Sequence, residues 1–193
     1  MRSILLLFIL LLNSVVFAQK ETSGVIDARG INKLVLSSDE IFRIHITTKP
    51  GEFISVKSKS DGEYFNDISL DSEVRQGTLY LNSRYRKSFQ GGFDKLSAHK
   101  VFAMEVELET PPGMKVEILS NLASVYMEGG YEEVLIQLKS GSCYMSDFSG
   151  NAVVNTYDGN IEVFTSNAII EAKSRHGKLL LPHEMTGNSQ DIP

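Results

Sequence analysis

Between Met114 and Met185, apolar side chains recur at a fixed nine-residue interval. One column runs Val116, Val125, Val134, Cys143, Ala152, Ile161, Ile170, Leu179. A second, two residues further on, runs Ile118, Met127, Ile136, Met145, Val154, Val163, Ala172, Leu181. All sixteen positions are apolar in a chain that is only 42% hydrophobic, so composition does not explain them. A short fixed period marks supersecondary units that stack and bury their apolar faces on one another. The apolar-x-apolar step within each unit is the period of a strand with one buried face.

Two strands then make an 18-residue coil. The turns between them carry glycine, as in Ser149-Gly150-Asn151, Asp158-Gly159-Asn160 and His176-Gly177-Lys178. Glycine suits a sharp bend with positive φ. The register places Glu117, Leu135, Val153 and Glu171 outward on one side, and Tyr126, Tyr144, Glu162 and Leu180 on the other. These outward columns are mixed where the inward ones never are.

Upstream, Phe42-Arg43-Ile44-His45-Ile46, Ile54-Ser55-Val56, Leu79-Tyr80-Leu81 and Phe102 to Leu108 alternate as strands, bounded by turns such as Lys49-Pro50-Gly51 and Ser60-Asp61-Gly62. Pro111-Pro112-Gly113 separates this unevenly spaced part from the regular repeat. The expected fold is all-β. It has a narrow parallel β-solenoid, β-helix-like with 18-residue coils of two strands, in the C-terminal half. An irregular β-strand N-terminal half caps it. The divisions are a signal peptide at 1–18, a β-rich half at 19–112, the solenoid at 113–185 and a tail at 186–193.

The signal peptide is read from Arg2, the apolar run Ile4 to Leu12 and the small-residue site Val16-Phe17-Ala18. Asn13-Ser14 interrupts that run before it reaches the roughly 20 residues a spanning helix needs. Export to the periplasm, the cell surface or the medium is expected, with no transmembrane span. A net charge of −5 excludes the basic footprint of a general nucleic-acid binder. The single cysteine, Cys143, falls in the apolar column and reads as a small core residue.

The stretch Glu105 to Ile118, with Thr110-Pro111-Pro112-Gly113-Met114 at its centre and glycine turns recurring after it, resembles the bacterial auto-transporter adhesin family with the head GIN domain. It is equally similar to the related adhesin-like β-strand repeat proteins of unknown function. The resemblance implies an exported, all-β, solenoid-like envelope protein and supplies no catalytic residues.

Chemistry offers few constellations. Ser140, Asp158 and His176 share a column, but aspartate lies in the middle, so no proton relay from serine to histidine can form. Stacked aspartates for a calcium roll are missing, since these turns hold only Asp147 and Asp158. His45, His99, His176 and His183 lack metal-ligand spacing. Glu128, Glu132, Glu133, Asp147 and Asp158 are scattered over different turns. No catalytic, cofactor or metal residue is assigned and no cofactor is expected. The reading is a non-enzymatic adhesion, surface-binding or structural role. The alternative is a carbohydrate-active enzyme on a β-helical scaffold.

Candidate contact residues come from composition. Arg84, Tyr85, Arg86, Lys87, Phe89, Phe93 and Lys95 form a basic, aromatic segment on an acidic chain, suited to an anionic glycan or another envelope component. Tyr126 and Tyr144 form an outward aromatic pair. Leu180 is outward and apolar, and its cover is the tail, a partner, or a second copy through the solenoid end.

Overall fold

The computed structural model describes residues 19–61, 68–85 and 103–166. They form eleven strands and no helix: β1 (Gln19–Asp27), β2 (Lys33–Ser37), β3 (Ile41–Thr48), β4 (Phe53–Asp61), β5 (Ile68–Arg75), β6 (Thr78–Tyr85), β7 (Ala103–Thr110), β8 (Lys115–Ser120), β9 (Ser124–Ser140), β10 (Cys143–Asp158) and β11 (Ile161–Val163). All belong to one mixed sheet, ordered β1-β4-β7-β3-β9-β8-β2-β6-β5, with β10 on β9 and β11 on β10.

The sheet curls because β9 turns a corner. Residues 124–128 pair with β3, while residues 133–138 pair with β8. Strands on the β3 side make a first wall and those on the β8 side a second, and their inward side chains meet between them. Ile44, Ile46, Val106, Leu108, Val125, Met127, Cys143 and Met145 come from the first wall. Leu34, Leu36, Leu79, Leu81, Val116, Ile118, Val134 and Ile136 come from the second, and every one of these sixteen is at most 2% exposed.

Within this sheet the 18-residue offset is the pairing register. Val116 lies beside Val134 and Val134 beside Ala152; Val125 lies beside Cys143 and Cys143 beside Ile161. The molecule is nonetheless a curled mixed sheet and not a narrow parallel β-solenoid. Neighbouring rungs are not consecutive in the chain, since β2 sits between β6 and β8, and β3 between β7 and β9. The outer strands are antiparallel, with β1 on β4, β4 on β7 and β5 on β6.

The N-terminal strands therefore extend the sheet by main-chain pairing instead of sitting on its end as a cap. The reason is visible in their side chains. Leu34-Val35-Leu36 and Ile44-His45-Ile46 carry the same apolar-x-apolar step as the repeat, so they fit its core and satisfy its unpaired N–H and C=O groups. Pro111-Pro112-Gly113 is the turn that carries the chain from β7 in the first wall to β8 in the second.

Ala152 and Ile161 are exposed, and Val154 and Val163 half-buried, although all four stand in the inward columns. Their expected successors, from Ile170 to Leu181, lie outside the described residues.

Two corners depend on glycine. Gly141 has φ +145°, and a Cβ there would lie 2.1 Å from the Ala123 carbonyl oxygen. Gly150 has φ +128°, and its Cβ would meet the Tyr131 carbonyl oxygen at 2.0 Å. On the inside of the second corner, Tyr131 is 4% exposed and its hydroxyl donates to the Glu128 carbonyl at 3.0 Å and the Ile46 carbonyl at 3.3 Å.

Two outcomes follow. Gly141→Ala is expected to cost about 2–5 kcal/mol in urea unfolding, from left-handed backbone strain plus a collision with main chain. Gly24→Ala, where a Cβ meets nothing within 4 Å, is expected to stay within about 0.5 kcal/mol, so equal effects at both sites would refute the corner argument. Burial pushes the Cys143 thiol up to about 12. The unfolded thiol titrates at about 8.5, so this group's stabilisation is complete below that pH and is lost as pH rises from there through about 12. Native protein at pH 8 should resist a thiol-specific disulfide reagent that labels the urea-unfolded chain at once.

Candidate functional site

Parallel strands hold equivalent residues about 4.8 Å apart, so an outward side chain stacks on its neighbours in the adjoining rungs. On the outer face of the first wall, β3, β9, β10 and β11 align His45, Tyr126, Tyr144 and Glu162 in one row. The His45 and Tyr126 rings lie 4.7 Å apart with planes 9° from parallel. Tyr126 and Tyr144 lie 4.9 Å apart at 13°.

The sequence-derived pair is thus part of a three-ring ladder, all three side chains half-buried. The third ring, His45, comes from β3, which is remote from β9 in the chain, and only the fold makes them neighbours. Face-to-face stacking also limits what the ladder can do. Both faces of Tyr126 are covered by rings, so it presents an edge with its hydroxyl and not a platform for a sugar.

Charged side chains on the outer faces form pairs across rungs. On the first wall Arg43 meets Glu105 at 2.9 Å and Lys49 meets Glu109 at 3.5 Å. On the second, Lys33 meets Glu117 at 2.7 Å, and Lys115 reaches Glu132 at 3.1 Å and Glu133 at 3.3 Å. The hydrogen bonds that its ammonium donates to those two carboxylates raise the Lys115 pKa. A glycosidase needs two carboxyl groups facing each other across one cleft. Here Glu128 lies beside Ser146 on the first wall, Glu132 and Glu133 pair with Lys115 on the second, and Asp158 lies beside Ser140 at the opposite corner. Among the described residues these carboxylates lie on different walls and corners, apart from Glu132 and Glu133, which meet at the Lys115 ammonium.

The basic segment is only partly within the described residues. Arg84 is near the end of β6, exposed, with its guanidinium 2.7 Å from the Asp71 carboxylate on β5. Its charge is therefore partly offset before any ligand arrives. Tyr85 is the last residue of β6, paired by backbone with Ile68. Arg86, Lys87, Phe89, Phe93, Lys95 and Leu180 lie outside the described residues, as does His176 of the serine–aspartate–histidine column. Among the described residues no group of three or more His, Cys, Asp or Glu side chains could hold a metal ion. No helix among them is long and apolar enough to cross a membrane.

No family model matches the chain, and no curated protein matches it. Solved structures provide distant likenesses of shape. The chain is similar to a candidate cell adhesion protein from Clostridium sporogenes, with 10% identity over 77% of this chain and 100% of that one, at TM-score 0.47. It is similar to a candidate adhesin from Bacteroides fragilis, with 14% identity over 88% and 78% of the two chains, at TM-score 0.44. A candidate lipid-binding protein from Parabacteroides distasonis shares 12% identity over 80% and 69%, at TM-score 0.38.

The ladder has a measurable energetic signature. Stacked aromatic pairs are worth about 0.5–1.5 kcal/mol beyond area burial. A double-mutant cycle on Tyr126→Ser and Tyr144→Ser is expected to return a coupling of that size in urea unfolding, with a similar value for Tyr126→Ser and His45→Ser. A coupling near zero at both pairs would show that the rings do not hold one another in solution.

Proposed function

We propose that this chain is an exported envelope protein of the adhesin-like β-strand repeat kind, related to the head GIN family, with a non-enzymatic adhesion, surface-binding or structural role. The observation that carries the reading is the outer surface of the curled sheet. Among the described residues, several of its ionisable side chains meet in cross-rung pairs, and His45, Tyr126 and Tyr144 stack in a ladder, which makes a regular contact face. Residues 1–18, with their basic start, apolar run and small-residue site, support export.

The ligand in this reading is an anionic glycan or other envelope polyanion, gripped by the segment Arg84, Tyr85, Arg86, Lys87, Phe89, Phe93 and Lys95. Cations and aromatic rings interleaved on one stretch of sequence are suited to such a ligand. Leu180 supplies a second contact, through which copies associate.

The 19–193 chain should sediment with isolated cell envelopes and be retained on immobilised dextran sulfate at low ionic strength. A variant with Arg84, Arg86 and Lys87 all changed to Glu should lose roughly tenfold in retention, and rising salt should have the same effect on the unmodified chain. Unchanged retention in that variant would remove the segment from the proposal. Release of reducing ends from envelope polysaccharide would replace the binding role with the enzymatic alternative.

A further inference from the structure

At the end of the second wall the outer face holds a groove that none of the residues above line. Ser37, Leu119 and Gln137 stand side by side on β2, β8 and β9. Asp39, Asn121, Lys139 and Tyr157 follow them towards the corner, and together these side chains line an open cavity of about 540 Å³. That volume falls within the roughly 300–1,000 Å³ of ordinary small-ligand sites.

We infer that this groove binds a neutral polysaccharide, with the Tyr157 ring as its stacking platform. The inference goes beyond the polyanion reading above and uses different residues. Tyr157 is 90% exposed, the most exposed large apolar or aromatic side chain among the described residues. Unlike Tyr126 and Tyr144 it has no ring partner there, so both faces of the ring are free. A pyranose ring is apolar on its C–H faces and polar at its edge, and needs one aromatic face with donors and acceptors around it.

The lining supplies those groups. The Asn121 and Gln137 amides can each donate and accept, which matches hydroxyl groups whatever their orientation. Asp39 accepts from the Asn121 backbone N–H through Oδ1 at 3.2 Å, which fixes the carboxylate at the groove edge. Lys139 is exposed, with no carboxylate partner among the described residues. One anion and one cation make the site neutral overall, which disfavours a polyanion. Leu119, half-buried on the floor, adds apolar contact.

Spacing points to a chain and not to a single sugar. The lining residues come from successive rungs about 4.8 Å apart, close to the length of one pyranose unit in an extended glycan. A polysaccharide lying across the strands would therefore meet a new set of lining residues at each successive sugar.

Affinity electrophoresis of the 19–193 chain against hydroxyethylcellulose, laminarin and yeast mannan, with calorimetry on N-acetylglucosamine oligomers, tests the inference. At least one of these neutral glycans is expected to bind, and binding is expected to be insensitive to salt. Tyr157→Ala and Gln137→Ala should each weaken it by about tenfold, with the melting temperature unchanged because both side chains are exposed. Tyr157→Phe should keep most of the affinity, since it keeps the ring face. Binding of none of the four glycans, or binding that survives Tyr157→Ala, would overturn the inference. Dextran sulfate and the Arg84, Arg86, Lys87 variant run alongside separate its failure from failure of the polyanion reading.

Discussion

Everything in this molecule depends on parallel main-chain pairing carried round a corner. β9 and β10 are long strands that belong to two walls at once, and their mutual register holds at 18 residues on both sides of the bend. That single constraint sets which side chains point inward, how far apart outward ones lie, and where glycine is required. A register slip of one residue would turn Val125, Met127, Cys143 and Met145 to solvent and bring Tyr126 and Tyr144 inside.

The same constraint builds the surface. Because rungs repeat at the spacing of ring stacking, identical or similar outward side chains form ladders, and opposite charges in neighbouring rungs find each other. Among the described residues, the result is a face with one ring ladder and several ion pairs running across strands. The two strongly perturbed pKa values on buried groups, at Cys143 and Tyr131, arise chiefly from desolvation at packed positions. Neither belongs to a cleft.

Much of the C-terminal half was legible before the structure. The inward columns from Val116 to Met145, the glycine corners at Gly150 and Gly159, and the outward row of Tyr126 and Tyr144 follow from local spacing, whereas Ala152 and Ile161 of the same columns are exposed. The order of rungs was not legible. β2 and β3 carry the repeat's apolar step but stand outside its period, so nothing local says that they insert between β7 and β9 on one wall and β6 and β8 on the other. His45 in the ladder and Asp39 in the groove depend on that insertion and could not be found by spacing.

What the sequence determined by itself is the periodic part: an all-β chain, an 18-residue pairing register, and which side chains from Val116 to Met145 face the core. Period-2 and period-9 spacing are properties of consecutive residues, so local sterics and burial suffice to read them. The tertiary structure decided that the coils belong to a curled mixed sheet with antiparallel outer strands and not to a narrow solenoid. It also decided that a histidine from one half completes an aromatic row in the other. Long-range pairing decides both, since an unpaired strand edge accepts any segment whose apolar step and hydrogen-bonding groups match it.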